Sequence, residues 1–112
     1  MEQDHLSSKR CRPCEGKVPA LTQSEVQHFL SRCPGWNVNS DYTEIHKDFE
    51  FKGYYKTIAF VNAIAWIAQN EGHHPDLEVS YNRCIVRYST HAIQGLSEND
   101  FICAAKVDAL TS

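Results

Sequence analysis

Apolar and polar positions along this chain follow two periods, and the switches between them mark out its elements. Val26, Phe29, Leu30 and Cys33 recur at helical spacing behind a segment, Leu21-Thr22-Gln23-Ser24-Glu25, that carries both halves of a helix start. Thr22 with Glu25 makes a capping box and Leu21 with Val26 a hydrophobic staple, so a first helix is predicted to run to about position 32 before Pro34-Gly35 ends it. The period then drops to two. Positions 36–39 read as a short strand, Ser40-Asp41 as a turn, and 44–51 as a second strand, with Ile45, Phe49 and Phe51 on one side and Glu44, His46, Asp48 and Glu50 on the other.

The helical period returns over 54–71, predicted as one long helix. Gly72 can take the left-handed conformation that closes it, and Pro75 forbids its resumption. Tyr54, Ile58, Val61, Ala65 and Ala68 form one apolar stripe, Phe60, Ile64 and Ile67 an adjoining one, and Trp66 lies on a third. A surface helix of a small domain needs one buried stripe. Phe60, Ile64 and Ile67 are therefore expected to meet another subunit, in a homodimer or homotetramer through helix 54–71, with a wide core stripe as the alternative. Leu77, Val79 and Tyr81, then Cys84, Val86 and Tyr88, alternate around an Asn82-Arg83 turn and predict a second hairpin. Leu96-Ser97-Glu98-Asn99-Asp100-Phe101 repeats the device of the first helix, with Asp100 in the box position, and a third helix should run to about 110. The order helix, two strands, helix, two strands, helix predicts an α+β fold: an antiparallel four-stranded sheet with three helices packed on one face.

A chain of 112 residues that is 42% hydrophobic has room for one core. The reading is a flexible arm over 1–14 and a single domain over 15–112. The net charge of −3, with 11 basic and 14 acidic residues scattered along the chain, provides no basic stripe for a phosphate backbone, so direct nucleic-acid binding is not expected. The start MEQDHLSSKR lacks the apolar core of a secretory signal, and no stretch approaches a membrane span. A soluble, cytoplasmic protein is expected. Five cysteines (11, 14, 33, 84 and 103) are an odd count at irregular spacings, which fits reduced thiols better than a disulfide framework. Cys11 and Cys14 form a lone CRPC pair with no second ligand pair for a metal, and read as surface thiols on a mobile arm.

The candidate chemistry sits where the long helix stops. His73 and His74 occupy the turn after it, in EGHHPD, and His91 follows the last strand, in STHAIQGL. Neighbouring residues in such a turn point in different directions, so one imidazole can touch a substrate while the other positions it. Three side chains of a type that titrates near neutral pH, on short loops, suggest general acid-base work. The structural alternative for His73 and His74 is a helix C-terminus that favours histidine through its dipole. Asp76 can orient one of the pair or cap a turn, and Asp100 reads first as a cap, with a direct catalytic role as the alternative. His5, His28 and His46 read as solvated, and Trp36 and Trp66 as core or subunit contacts.

Residues PCEGKVPALT near the start, PGW at 34–36, GHHPD at 72–76, Tyr81-Asn82, STH at 89–91 and GLSENDF at 95–101 together resemble the pterin-4a-carbinolamine (4a-hydroxytetrahydrobiopterin) dehydratases, in the family's order over about 11–110. The resemblance implies dehydration of a 4a-hydroxytetrahydropterin, left by aromatic amino acid hydroxylases, to the quinonoid dihydropterin, with no metal and no redox cofactor. It maps the catalytic histidines onto His73, His74 and His91, and pterin-contacting positions onto Gly72, Pro75, Asp76, Ser89, Thr90 and Ala92. The chain departs from animal members at Gln69, Gly72 and Leu77, where they carry Glu, an acidic residue and Trp. Animal members also serve as a dimerisation cofactor of a transcription factor, which makes a protein-binding module, nuclear as well as cytoplasmic, the alternative function. The chemistry agrees with the enzyme. Expelling hydroxide from C4a needs an acid at the leaving oxygen while N5 drives it out and loses its proton, and histidine, with a reference pKa of about 6.5, supplies either partner near neutrality.

Overall fold

The elements follow one another as α1 (Gln23–Leu30), β1 (Asn37–Val38), β2 (Ile45–Glu50), α2 (Tyr54–Glu71), β3 (Asp76–Val79), β4 (Arg83–Tyr88) and α3 (Glu98–Ala109), in a computed structural model that describes residues 6–12 and 19–111. The helix starts are those the capping signals predict. The Glu25 amide donates to Thr22 Oγ1 at 3.2 Å and the Thr22 amide to Glu25 Oε1 at 2.8 Å. α1 stops at Leu30, two residues short of the prediction. Arg32 and Cys33 donate to Phe29 and Leu30, a tightened last turn in front of Pro34, whose ring disfavours helical backbone just before it. α2 ends as predicted, with Gly72 left-handed at φ 66° and its amide bonded to the Ala68 carbonyl.

The sheet order is β1-β2-β4-β3, antiparallel throughout, so the two hairpins join through the central β2–β4 pair. The register sets Ile45 opposite Tyr88 and Phe49 opposite Cys84. Ile45, Phe49, Cys84, Val86 and Tyr88 therefore share the face buried under the helices. The other face is charged. Arg83 pairs with Asp48, and Arg87 with Glu78 and Glu44. Exposed pairs of this kind are worth about 1 kcal/mol or less each, so the buried face holds the layers together.

α3 lies deepest, burying Phe101, Ile102, Cys103, Ala104 and Val107 together with Asn99 and Asp100. α2 packs beside it through Thr57, Phe60, Ile64, Ile67 and Ala68. This corrects the sequence reading: Phe60, Ile64 and Ile67 belong to the monomer's own core and are closed to another subunit. Their spacing of four and three forms the stripe that meets the sheet, where Phe60 packs against Phe49 and Phe51 at 4.7 and 4.9 Å. Tyr55 and Trp66 point outward, Trp66 at 68% exposure, whereas Trp36 is buried and donates its indole N–H to Asp108 at 3.1 Å. No helix among the described residues is long and apolar enough to cross a membrane.

Residues 6–12, within the segment expected to be a flexible arm, lie against α3 and the end of α2. A 3₁₀ turn over Leu6–Ser8 buries Leu6, and Lys106 donates to the Ser7 carbonyl at 2.8 Å. Arg10 reaches Glu71 at 3.1 Å and the Asn70 carbonyl at 3.1 Å. His5 and Cys14 fall outside the described residues.

Candidate functional site

The end of α2 and the end of β4 meet at one cleft. The αL turn at Gly72 directs the chain back over the sheet, and the His73 amide still bonds the Ala68 carbonyl, at 3.2 Å. Across from it, Thr90 and Gly95 exchange backbone hydrogen bonds of 2.9 and 3.4 Å, which pinch the chain into a loop containing the 3₁₀ turn His91–Ile93. The pinch needs glycine at 95, because a Cβ there would lie 2.6 Å from that of Ala20. The cleft between these loops has a volume of about 640 Å³. Of the residues singled out from the sequence, His73, His74, His91, Gly72, Ser89, Thr90 and Ala92 line it, and Pro75 and Asp76 do not. Asp76 sits exposed on β3, opposite Arg87.

The two neighbouring histidines have different settings. His74 is exposed, as is His91. His73 turns inward, its side chain 13% exposed, and lies parallel to the Tyr88 ring at 5.8 Å between centroids. Its Nε2 is 2.6 Å from Asp100 Oδ1, and Asp100 is fully buried. The other carboxylate oxygen, Oδ2, accepts from the Thr90 hydroxyl at 2.7 Å and from the Ser97 amide at 3.0 Å. Ser97 Oγ in turn lies 2.8 Å from Thr90 Oγ1, which has already given its proton to Asp100, so the serine is the donor there. Of the two ring nitrogens, Nε2 is therefore the one held against the carboxyl, which leaves Nδ1 without a share in this contact. One side chain thus caps α3 and anchors a histidine ring.

The contact between Asp100 and His73 was not visible in the sequence, where the helix-start position of Asp100 pointed first to a cap. The carboxylate that faces His73 is Asp100; no hydrogen bond joins Asp76 to either histidine among the described residues.

The N-terminal segment supplies another wall, also missed. Arg10, Cys11 and Arg12 line the cleft with Asn99. Asn99 clamps Arg12 through both backbone groups, at 3.0 and 2.6 Å, and the Cys11 amide donates to Glu71 at 2.8 Å. Burial acts to raise the Glu71 carboxyl, but the Cys11 amide, Lys106 and Arg10 outweigh it and hold the group below its ordinary value. Tyr88, beneath His73, has its hydroxyl buried without a hydrogen-bond partner among the described residues, and burial with nearby Cys103 pushes that phenol upward. No group of three or more metal-ligating side chains occurs among the described residues.

Comparison with known proteins bears on this geometry. The sequence model of the family described as pterin 4 alpha carbinolamine dehydratase matches residues 19–110. A relative from Nitrosospira multiformis is 56% identical over 107 residues, covering 96% of this chain and 93% of its own, and one from Legionella pneumophila is 54% identical over 106 residues, covering 94% of each. Both carry the name pterin-4-alpha-carbinolamine dehydratase provisionally. Among solved structures, a transcriptional coactivator/pterin dehydratase from Brucella melitensis superposes with a TM-score of 0.80 at 31% identity, over 83% of this chain and 99% of that one. A pterin dehydratase-like protein identified as a RuBisCO assembly factor in the alpha-carboxysome gives 0.61 at 25% identity, over 70% of this chain and 90% of that one.

Proposed function

We propose, from the premise that this chain belongs to the pterin 4 alpha carbinolamine dehydratase family, that its cleft dehydrates a 4a-hydroxytetrahydropterin by histidine acid-base catalysis. The observation that carries this reading is the His73–Asp100 pair at 2.6 Å in a cleft that His74 and His91 also line. The reaction breaks the C4a–O bond. The leaving oxygen takes a proton and departs as water, the N5 lone pair becomes the C4a=N5 double bond, and N5 gives up its proton to a base. One proton is therefore delivered to the oxygen on C4a and another collected from the adjacent N5, which calls for an acid and a base close to two neighbouring ring atoms.

His74 and His91, exposed on opposite loops, suit that task as the residues that exchange protons with the pterin. His73, anchored by Asp100 and stacked on Tyr88, is the imidazole whose orientation is set in advance. Gly72, Ser89, Thr90 and Ala92 form the adjoining surface for the ring system. Pro75 and Asp76 shape the turn into β3 from outside the cleft. Each acid-base contribution of this type is typically worth 10² to 10⁴ in rate. A purely protein-binding role, the other reading of the sequence, makes no use of three histidines lining one cleft.

A homodimer or homotetramer through helix 54–71, if it forms, has to use the outer face. Tyr55, Asn62 and Trp66 lie there within about 40° of one another at 100° per residue, all exposed. Stopped-flow absorbance of 4a-hydroxytetrahydropterin decay, with and without the protein, tests the activity. Acceleration proportional to protein concentration is expected, and decay at the uncatalysed rate would refute it.

A further inference from the structure

Cys11 and Cys103 come from opposite ends of the chain and meet with their sulfurs 3.5 Å apart. The approach is fixed from both sides. The Cys11 amide is held by Glu71 at 2.8 Å, and the next residue, Arg12, is held through both backbone groups by Asn99. Asn99 stands one helical turn before Cys103 on α3, so the clamp and the thiol share a face of that helix. Cys11 Sγ also contacts the Asn99 carbonyl at 3.7 Å, which leaves the thiol lying along α3. A disulfide requires about 2.05 Å between sulfurs, so the two need to close by a small side-chain rotation once the backbone is in place. The partners differ in access: Cys103 is fully buried, whereas Cys11 is part-buried and lines the cleft.

We propose that Cys11 and Cys103 are an oxidisable dithiol pair, which peroxide converts into a disulfide that ties the N-terminal segment to α3 at the rim of the cleft. Cys11, the thiol open to the cleft, reacts first: its sulfur displaces water from hydrogen peroxide and becomes a sulfenic acid. The Cys103 sulfur then attacks the Cys11 sulfur, and the sulfenic oxygen leaves as a second water, taking the Cys103 proton. Two thiols lose two electrons and two protons in all, and one peroxide is reduced to two waters. The Cys11 hydrogen bond, burial and nearby carboxylates raise the Cys103 thiol, which leaves the first step to Cys11, and the second falls to Cys103 through its place 3.5 Å from the Cys11 sulfur; burial pushes Cys33 up to about 12, which keeps that thiol from meeting peroxide first.

The test needs no turnover and so stands or falls apart from the dehydratase reading. The full chain is treated with hydrogen peroxide, its remaining thiols are alkylated, and peptides are mapped without reduction. A peptide linking Cys11 to Cys103 is expected, absent from Cys11→Ser and reversed by dithiothreitol. In parallel, trypsin cleavage after Arg10 should slow by about tenfold or more on oxidation, because cleavage tracks how often the segment opens and a disulfide holds it closed. Full alkylation of both thiols after peroxide, or a link from Cys11 to Cys14 instead, would overturn the pair. A Cys11–Cys103 link that left cleavage after Arg10 unchanged would overturn the tether.

Discussion

At the start of α1, Thr22 and Glu25 exchange their two hydrogen bonds on an exposed surface; at the start of α3, Ser97 and Asp100 form the same box in the interior. The two starts are neighbours, since the Leu21 amide donates to the Leu96 carbonyl at 2.9 Å. Glu25 ends its reach at its own helix. Asp100 has a second oxygen to offer, and burial places Thr90 and His73 around it. An exposed cap satisfies orphan amides and no more, whereas a buried cap becomes the junction through which a helix, a loop and a histidine are held in one arrangement.

The largest effects should come from the histidines of the cleft, of which His73 is held by the inner box. His73→Ala and His91→Ala are each expected to lower the dehydration rate by about 10² to 10⁴ while circular dichroism shows a folded chain. Full activity in both would detach the box from the chemistry. Thr22→Ala and Ser97→Ala should each cost about 0.5 to 2 kcal/mol by thermal unfolding, because each removes the acceptor of a helix-start amide. Only Ser97→Ala should also slow turnover, through its lost donation to Thr90, and equal rates in the two variants would erase the contrast. Gly95→Ala, next to both starts, forces a shift against Ala20 and should cost about 1 to 3 kcal/mol in denaturant titration. The smallest effect is a local one at Glu71. Its carboxyl is held below the ordinary 4.5, so its hold on the N-terminal segment is complete above that value and is lost as pH falls through the lower folded one. The Cys11 amide resonance should follow with a midpoint below 4.5; a midpoint at or above it would show that the segment does not lean on Glu71.

What the sequence made legible was local. The span of α2 follows from Gly72 and Pro75, the two boxes from residues three apart, and the hairpins from alternation at period two. The histidine cleft was legible too, because two short loops carry all three imidazoles. The inward face of α2 was not: Phe60, Ile64 and Ile67 and their neighbouring stripe are both apolar, and only the position of the sheet and α3 decides between them. The link between His73 and Asp100 spans 27 positions and depends on how α3 is seated. The seating of residues 6–12 depends on single side chains, Asn99 and Glu71, that carry no periodic signal.

Under the proposed function, Asp100 serves the chemistry through His73 as well as the helix. Asp100→Asn keeps the shape of the side chain and an oxygen for the cap, but puts an amide where one carboxylate oxygen stood. The decisive measurement is its dehydration rate at saturating 4a-hydroxytetrahydropterin, alongside its melting temperature. A rate lowered by about 10² or more in a chain that still melts cooperatively is the predicted result. A wild-type rate in that variant would contradict the account.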